Sequence, residues 1–305
     1  MSEERQTGLP DLPRLRAWLS VGRGLPRSGS GGVLLLVPAL LVVAAFVILP
    51  VVYSLYLSFR TPGGYGLDAY ANFFAYEQYA IALWNTGLFS AVSAVSAVLI
   101  ALPACLYVAT HKGWIFQLFL GALGVALAIS GLIRTVSWQL LLSRSGVVDA
   151  AAQALGLAHA PLDLLYSKTA VLIGMTQIML PIAAMSLLNG LRGVDHELIR
   201  AATSLGASPL RAILDLWWPQ MRKPIANALL LVFTLTTGLF LIPALLGGPS
   251  DTVLGKLILS DMTYDFETGA ARASVSGIIT MLMVLVVTLL CLAIGGKPFH
   301  RRSGK

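Results

Sequence analysis

The sequence predicts an all-α integral membrane protein, with six transmembrane helices and a cytoplasmic two-helix loop between spans four and five. Three observations carry this. Of 305 residues, 57% are hydrophobic and only 11% charged, with a mean hydropathy of +0.80. Soluble domains are normally about one quarter charged. Six apolar runs reach the length of about 20 residues that a helix needs to cross a bilayer. The basic residues are also distributed asymmetrically between the loops, which orients the runs.

In chain order, residues 1–31 carry Arg5, Arg14, Arg16, Arg23 and Arg27 among Gly, Pro and Ser. This composition reads as a partly disordered cytoplasmic tail. The apolar run that follows is too long for a signal-peptide core and lacks a small-residue cleavage site, so it is expected to anchor the chain. The predicted spans are 33–59 (with Pro38 and Pro50 inside), 84–109, 114–142, 169–188, 225–246 and 273–294. They define one membrane domain over 32–295 and a short cytoplasmic tail at 296–305. Ser93 with Ala97, and Gly124 with Ala128, are small residues at four-residue spacing, which allows close approach of helices in a bilayer.

With the N-terminus inside, fifteen Lys and Arg residues fall on the cytoplasmic side: the tail arginines, Lys112, the five between Arg192 and Lys223, and four after the last span. Five fall outside: Arg60, Arg144, Lys168, Lys256 and Arg272. Arg134 lies within the third run. This bias obeys the positive-inside rule, and it explains the net charge of +7 without a nucleic-acid partner.

Residues 195–224 form the longest polar interruption in the C-terminal half. Ala201, Ala202 and Leu205 stand at helical spacing, and Gly206 suits the left-handed turn that ends a helix. Ser208 before Pro209 reads as an N-cap with a first-turn proline, predicting a second short helix toward Trp218. Pro219 and Pro224 are expected to punctuate the route into the fifth span.

Ala201, Ala202, Gly206, and an apolar pair ending at Pro219 resemble the EAA loop of binding-protein-dependent ABC importer permeases. The resemblance extends over residues 33–295. Leu132, Ile133 and Arg134, then Leu142 and Ser143 before Gly146, Val147 and Val148, and finally Thr268, Gly269, Ala270 and Ala271, are most similar to the spermidine/putrescine permease branch. Arg200 stands where the motif has its leading Glu, and Glu197 lies one turn earlier. The resemblance implies that Glu197, Arg200, Ala201, Ala202, Leu205, Gly206, Ala207, Ser208 and Pro219 contact an ATPase dimer. It also implies a second permease subunit, an extracytoplasmic substrate-binding protein, and alternating access driven by ATP and Mg on the ATPase.

Catalytic apparatus is not expected on this chain. The nearest approach to a phosphate-binding loop, Gly255 and Lys256, has Ser250 at the first glycine position and Leu257 in place of Ser or Thr. His111, His159, His196 and His300 lack metal-ligand spacing. Cys105 and Cys291 lie in apolar runs, where packing explains them. No glycine-flanked nucleophilic serine occurs.

Arg134 is the sharpest single residue, because a guanidinium in a span costs roughly 2.5–3.5 kcal/mol on insertion scales. It either snorkels to the outer interface beside Trp138 and Gln139, lines the pathway, or holds a discontinuity in the third span. Trp84, Gln139 and Gln177 either bond between helices or line a route for an ammonium-bearing solute. In the outer loops, Asp251, Asp261, Asp265 and Glu267, with Tyr264 and Phe266, are either solvated or form a rim that receives the binding protein and attracts a cation. The substrate expected from the resemblance is a polyamine, with opines, amino-acid-like solutes and iron carriers as neighbours. An ion-coupled secondary carrier would instead show paired acids in its spans, and a receptor would carry a soluble signalling domain.

Overall fold

The computed structural model describes residues 30–61, 63–111, 113–157, 162–191, 202, 204–208, 211, 213–265 and 268–295. Both predicted tails therefore lie almost wholly outside the described residues. By internal contacts the chain divides into two units, Met1–Tyr53 and Ser54–Lys305.

The first helix, α1 (Ser30–Ser58), matches the first predicted span and tolerates Pro38 and Pro50 within it. None of the side chains in its apolar stretch is buried. Residues 60–65 depart from the all-α expectation. They form a two-stranded antiparallel hairpin, β1 (Arg60–Thr61) with β2 (Gly64–Tyr65), pairing Arg60 with Tyr65 and Thr61 with Gly64. A short helix, α2 (Asp68–Ala75), follows. Next comes α3 (Glu77–Thr110), which begins well before the predicted start at Trp84.

The third predicted run is not one helix. α4 (Trp114–Ala128) ends where Ile129 and Ser130 turn extended, and α5 (Gly131–Leu142) starts with the Arg134 amide donating to the Ser130 carbonyl (3.1 Å). The direction of Trp114–Ala128 differs by 91° from that of the whole stretch Gly131–Ala154. At the break the Ile129 amide still donates to the Val125 carbonyl (3.3 Å). Hydropathy registers only the uninterrupted apolar content and so misses it.

α6 (Val147–Ala154) is a short helix between the third and fourth predicted spans, with Asp149 buried. α7 (Lys168–Leu191) reproduces the fourth span with Pro181 inside. The fifth predicted span, 225–246, is displaced and divided. A π-helical stretch (Ile213–Trp217) runs directly into α8 (Trp218–Thr237), and α9 (Leu241–Leu246) follows a three-residue break. Pro219 sits in the first turn of α8, where its missing N–H is no loss. It therefore lies inside a helical run that is already under way from Ile213 and does not interrupt it. At the far end, the Thr236 and Thr237 hydroxyls donate back to the carbonyls of Val232, Phe233 and Thr234 (2.7–2.8 Å), satisfying both hydroxyls within their own helix. α10 (Leu254–Tyr264) and α11 (Gly269–Gly295) complete the chain.

Among the described residues, α1, α3, α7 and α11 are long and apolar enough to cross a membrane, and the bent α4–α5 pair makes up to five. The core lies where α3, α7 and α8 meet. Ser93, Ala97 and Ala101 of α3, Ala183 and Ala184 of α7, and Ala228 of α8 are all buried. Small side chains bring the helix axes close, which substitutes for the hydrophobic drive that lipid cannot supply. The Cys105 thiol also points to the Ala184 carbonyl (3.5 Å). The Gly124–Ala128 pair behaves otherwise. A Cβ on Gly124 would meet nothing, because α4 buries only Leu123.

Candidate functional site

Between α7 and α8, the described part of the polar loop centres on one turn. Gly206 has φ +89°, in the left-handed region that glycine enters without steric penalty. The Ala207 amide donates back to the Ala202 carbonyl (3.0 Å), the long-range bond of a Schellman helix end. Leu205, just before the turn, is 89% exposed. Next to it, the exposed Ser208 side chain accepts the Arg211 amide proton (3.4 Å), an N-cap bond for the following helical segment. A capped helix end, an exposed leucine and a capped helix start thus share one short stretch. Glu197, Arg200 and Ala201 lie outside the described residues.

The two ends of this loop are held together. A Cβ built on Gly190, at the end of α7, would stand 2.5 Å from Cβ, 2.9 Å from Cγ and 3.1 Å from Cα of Pro224 in α8. Only a hydrogen fits there. Around this contact Leu187, Leu188 and Leu191 of α7 and Met221 of α8 are buried. The chain therefore leaves α7 and enters α8 at two points in direct contact.

A second group gathers across α5, α7 and α9. The Trp138 indole donates to the Gln177 side-chain oxygen (3.4 Å), and the Gln139 amide donates to the Leu245 carbonyl (3.5 Å). Arg134 lies one turn before Trp138, on the same helix face. It is half-buried, and its Nε and Nη1 atoms are buried without a hydrogen-bond partner. The bend between α4 and α5 places this guanidinium in the first turn of the second arm. Trp84 stands apart from the group. It is 69% exposed and borders an apolar cleft of about 560 Å³ with Phe73, Phe74, Ile279 and Met283.

The described acids of the 247–272 segment are engaged within the fold. Asp261 accepts the Tyr79 hydroxyl proton on both carboxylate oxygens (2.9 and 3.1 Å) and lies 3.9 Å from Arg272 Nε. Burial pushes the Asp261 carboxyl above its ordinary range, while Tyr79 and Arg272 pull it back. Asp265 pairs with Arg272 and accepts the Thr268 amide and hydroxyl protons (2.9 and 2.8 Å), so it caps the start of α11. Asp251 accepts the Gly248 amide proton (2.9 Å). Glu267 lies outside the described residues. Tyr264 is 82% exposed and is the member of this loop most available to a visiting surface.

The Asn85 side-chain amide donates to the Ser250 and Thr252 carbonyls (2.8 and 3.0 Å), and Thr86 accepts the Leu254 amide proton (2.9 Å). Together they fasten the loop before α10 to α3. Replacing Tyr79 with Phe is expected to lower stability by about 1–3 kcal/mol, because the buried carboxylate loses its hydroxyl donor. A fall of a few degrees in the melting temperature of the detergent-solubilised protein is the check; an unchanged midpoint would contradict it.

Among the described residues, no cluster of three His, Cys, Asp or Glu side chains is placed to hold a metal.

Comparison with known proteins agrees with this architecture. The family described as "Binding-protein-dependent transport system inner membrane component" matches residues 19–296. The spermidine/putrescine transport system permease protein PotB of Escherichia coli K12 is 30% identical over 198 residues, covering 62% of this chain and 72% of that protein. PotB of Haemophilus influenzae is 26% identical over 251 residues, covering 79% and 86%. Among solved structures, a chain of the bacterial alginate ABC transporter in complex with alginate pentasaccharide-bound periplasmic protein superposes with a TM-score of 0.66. It is 19% identical and covers 92% of this chain and 94% of its own.

Proposed function

Because this chain belongs to the family of binding-protein-dependent transport system inner membrane components, we propose that it is the transmembrane permease subunit of an ABC importer that carries a polyamine across the inner membrane. The observation that carries the mechanism is the exposed Gly206 turn, mounted on two core helices whose roots touch at Gly190 and Pro224. An apolar side chain held in water at a rigid corner, like Leu205, is what a cleft on another protein can grip.

In this reading α8 joins the bent pair and the four long helices to make six crossings. Both termini and the 195–224 loop are cytoplasmic, following the fifteen-to-five distribution of basic residues. An ATPase dimer binds the loop through Ala202, Leu205, Gly206, Ala207 and Ser208, with Glu197, Arg200 and Ala201 completing the contact. Pro219 lies in the first turn of α8, the helix that carries the motion inward. ATP and Mg stay on that partner, so this chain performs no chemistry of its own. ATP-driven closure draws the loops of this chain and of a second permease subunit together, and the spans then open outward. A loaded extracytoplasmic binding protein docks on the outer rim near Tyr264 and Asp265. The solute then passes Arg134, Trp138, Gln139 and Gln177. The polyamine assignment rests on relatives whose names specify spermidine and putrescine.

Purification of the tagged chain from its native membrane is expected to bring down an ATP-hydrolysing subunit. Membrane vesicles holding the whole complex should take up radiolabelled spermidine only when ATP and the loaded receptor are both present. Uptake driven by an ion gradient, without ATP, would overturn the importer. A receptor that ignores spermidine and putrescine would remove the polyamine and leave the importer standing.

A further inference from the structure

At the root of the loop, a cavity of about 630 Å³ opens between α4, α7 and α8. Its apolar wall includes Leu127, Ile182 and Leu231, and its polar groups are Ser186, Asn189 and Asn227. From Ile182 to Asn189 it follows α7 for about 10 Å, at 1.5 Å per residue. Asn189 precedes Gly190, Asn227 follows Pro224 by three residues, and Leu127 stands just before the break after α4. The cavity therefore touches the fused loop roots at one end and the bend at the other.

Both amides are exposed to this space, and neither has an intramolecular hydrogen-bond partner among the described residues. Amides on membrane helices normally bond to a neighbouring helix, since hydrocarbon offers them nothing. Two free amides on adjacent helices thus call for water or a polar solute opposite them. No Lys, Arg, Asp or Glu lines this cavity among the described residues. Neutral carbonyl dipoles attract a protonated amine without the strong hold of a carboxylate, which suits a section that must also release its cargo.

Resting on the importer reading above, we propose that the Ser186–Asn189–Asn227 cavity is a water-filled inner section of the solute route, and that the Asn189 and Asn227 amide oxygens receive the ammonium groups of the passing solute. The contact of Gly190 with Pro224 sets the width of this section, so that loop movement opens and narrows it.

Thiol labelling tests the location independently of the cargo. In inside-out vesicles carrying the full transporter, with Cys105 and Cys291 replaced by Ala, Asn189→Cys and Asn227→Cys are expected to react with ethylammonium methanethiosulfonate. Leu289→Cys, on the exposed apolar face of α11, should react at least tenfold more slowly. Equal, slow reaction at all three positions would overturn the proposal and indicate that lipid or a packed partner fills the space. For the chemistry, the Asn189→Leu/Asn227→Leu double variant should lower the maximal rate of spermidine uptake at least tenfold. KM should stay unchanged, because the receptor governs capture. Asn→Gln at both positions should recover most of the rate. Wild-type uptake in the double Leu variant would refute the amide role. Failure of the wild-type complex to move spermidine would instead defeat the polyamine reading, with the labelling result still deciding whether the cavity is wet.

Discussion

Replacement of Gly190 with Ala should reduce ATP-dependent uptake by more than tenfold, although it adds a single methyl group. That methyl would fall 2.5 Å from Pro224 Cβ and 2.9 Å from Cγ, whereas carbon atoms settle at about 3.5–4.0 Å. Neither partner can turn aside. The alanine Cβ is fixed by its backbone, and the proline ring is locked to its own helix. The roots of α7 and α8 must therefore part by roughly 1 Å to restore van der Waals contact. Separation disturbs the packing of the buried Leu187, Leu191, Met221 and Ala228, at a typical overpacking cost of about 1–3 kcal/mol. It also frees the loop from acting on both helices together. Because the variant could be dismissed as merely unstable, the informative comparison is the Gly190→Ala/Pro224→Gly pair. Removing the proline Cβ and Cγ abolishes the two shortest contacts and leaves only the 3.1 Å approach to Cα. The double variant should transport better than Gly190→Ala alone, and the Pro224→Gly single variant, which removes a helix-interior proline without relieving any clash, is the control. If the double variant is no better, direct contact between these residues is not what matters.

Replacement of Gly206 with Val is expected to abolish ATP-dependent uptake while leaving membrane insertion intact. The physics differs from that at Gly190. A Cβ here would meet nothing within 4 Å, so crowding is absent. The cost is conformational: φ is +89°, and a left-handed conformation costs a non-glycine residue of order 1–3 kcal/mol, most severely when β-branched. The chain escapes by rotating out of the turn, which breaks the bond from the Ala207 amide to the Ala202 carbonyl and re-aims Leu205. ATP hydrolysis by the assembled complex should lose its coupling to transport, read as uptake per ATP consumed. Asn tolerates the left-handed region far better than Val, so Gly206→Asn should retain much of the uptake. Equal loss in Asn and Val would point away from backbone conformation; undiminished uptake in Val would remove the turn from the mechanism.

Much of this turn was readable beforehand, since the reasons for it are local. Glycine after a helical stretch and serine before a proline each act on their own neighbours, and both caps formed where expected. The route beyond them was not readable. Pro219 and Pro224 suggested interruptions, yet both lie within α8. A proline removes only one amide donor, and the packing of α8 against α3 and α7 outweighs that loss. The break after α4 left no proline as a signal, and Asp261 and Asp265 looked available until Tyr79, distant in the chain, and Arg272 were placed beside them.

The amino-acid order alone was enough to establish a helical membrane chain, its apolar runs, and a capped polar projection late in the chain. Each follows from composition or from interactions within a few residues, which survive whatever the rest of the molecule does. Tertiary structure alone settled which helix faces meet, that Gly190 and Pro224 join the loop's two ends, which carboxylates are consumed by partners, and where unpaired amides face a cavity. Those outcomes depend on groups brought together from distant parts of the chain, and hydropathy, being blind to direction, carries no record of them.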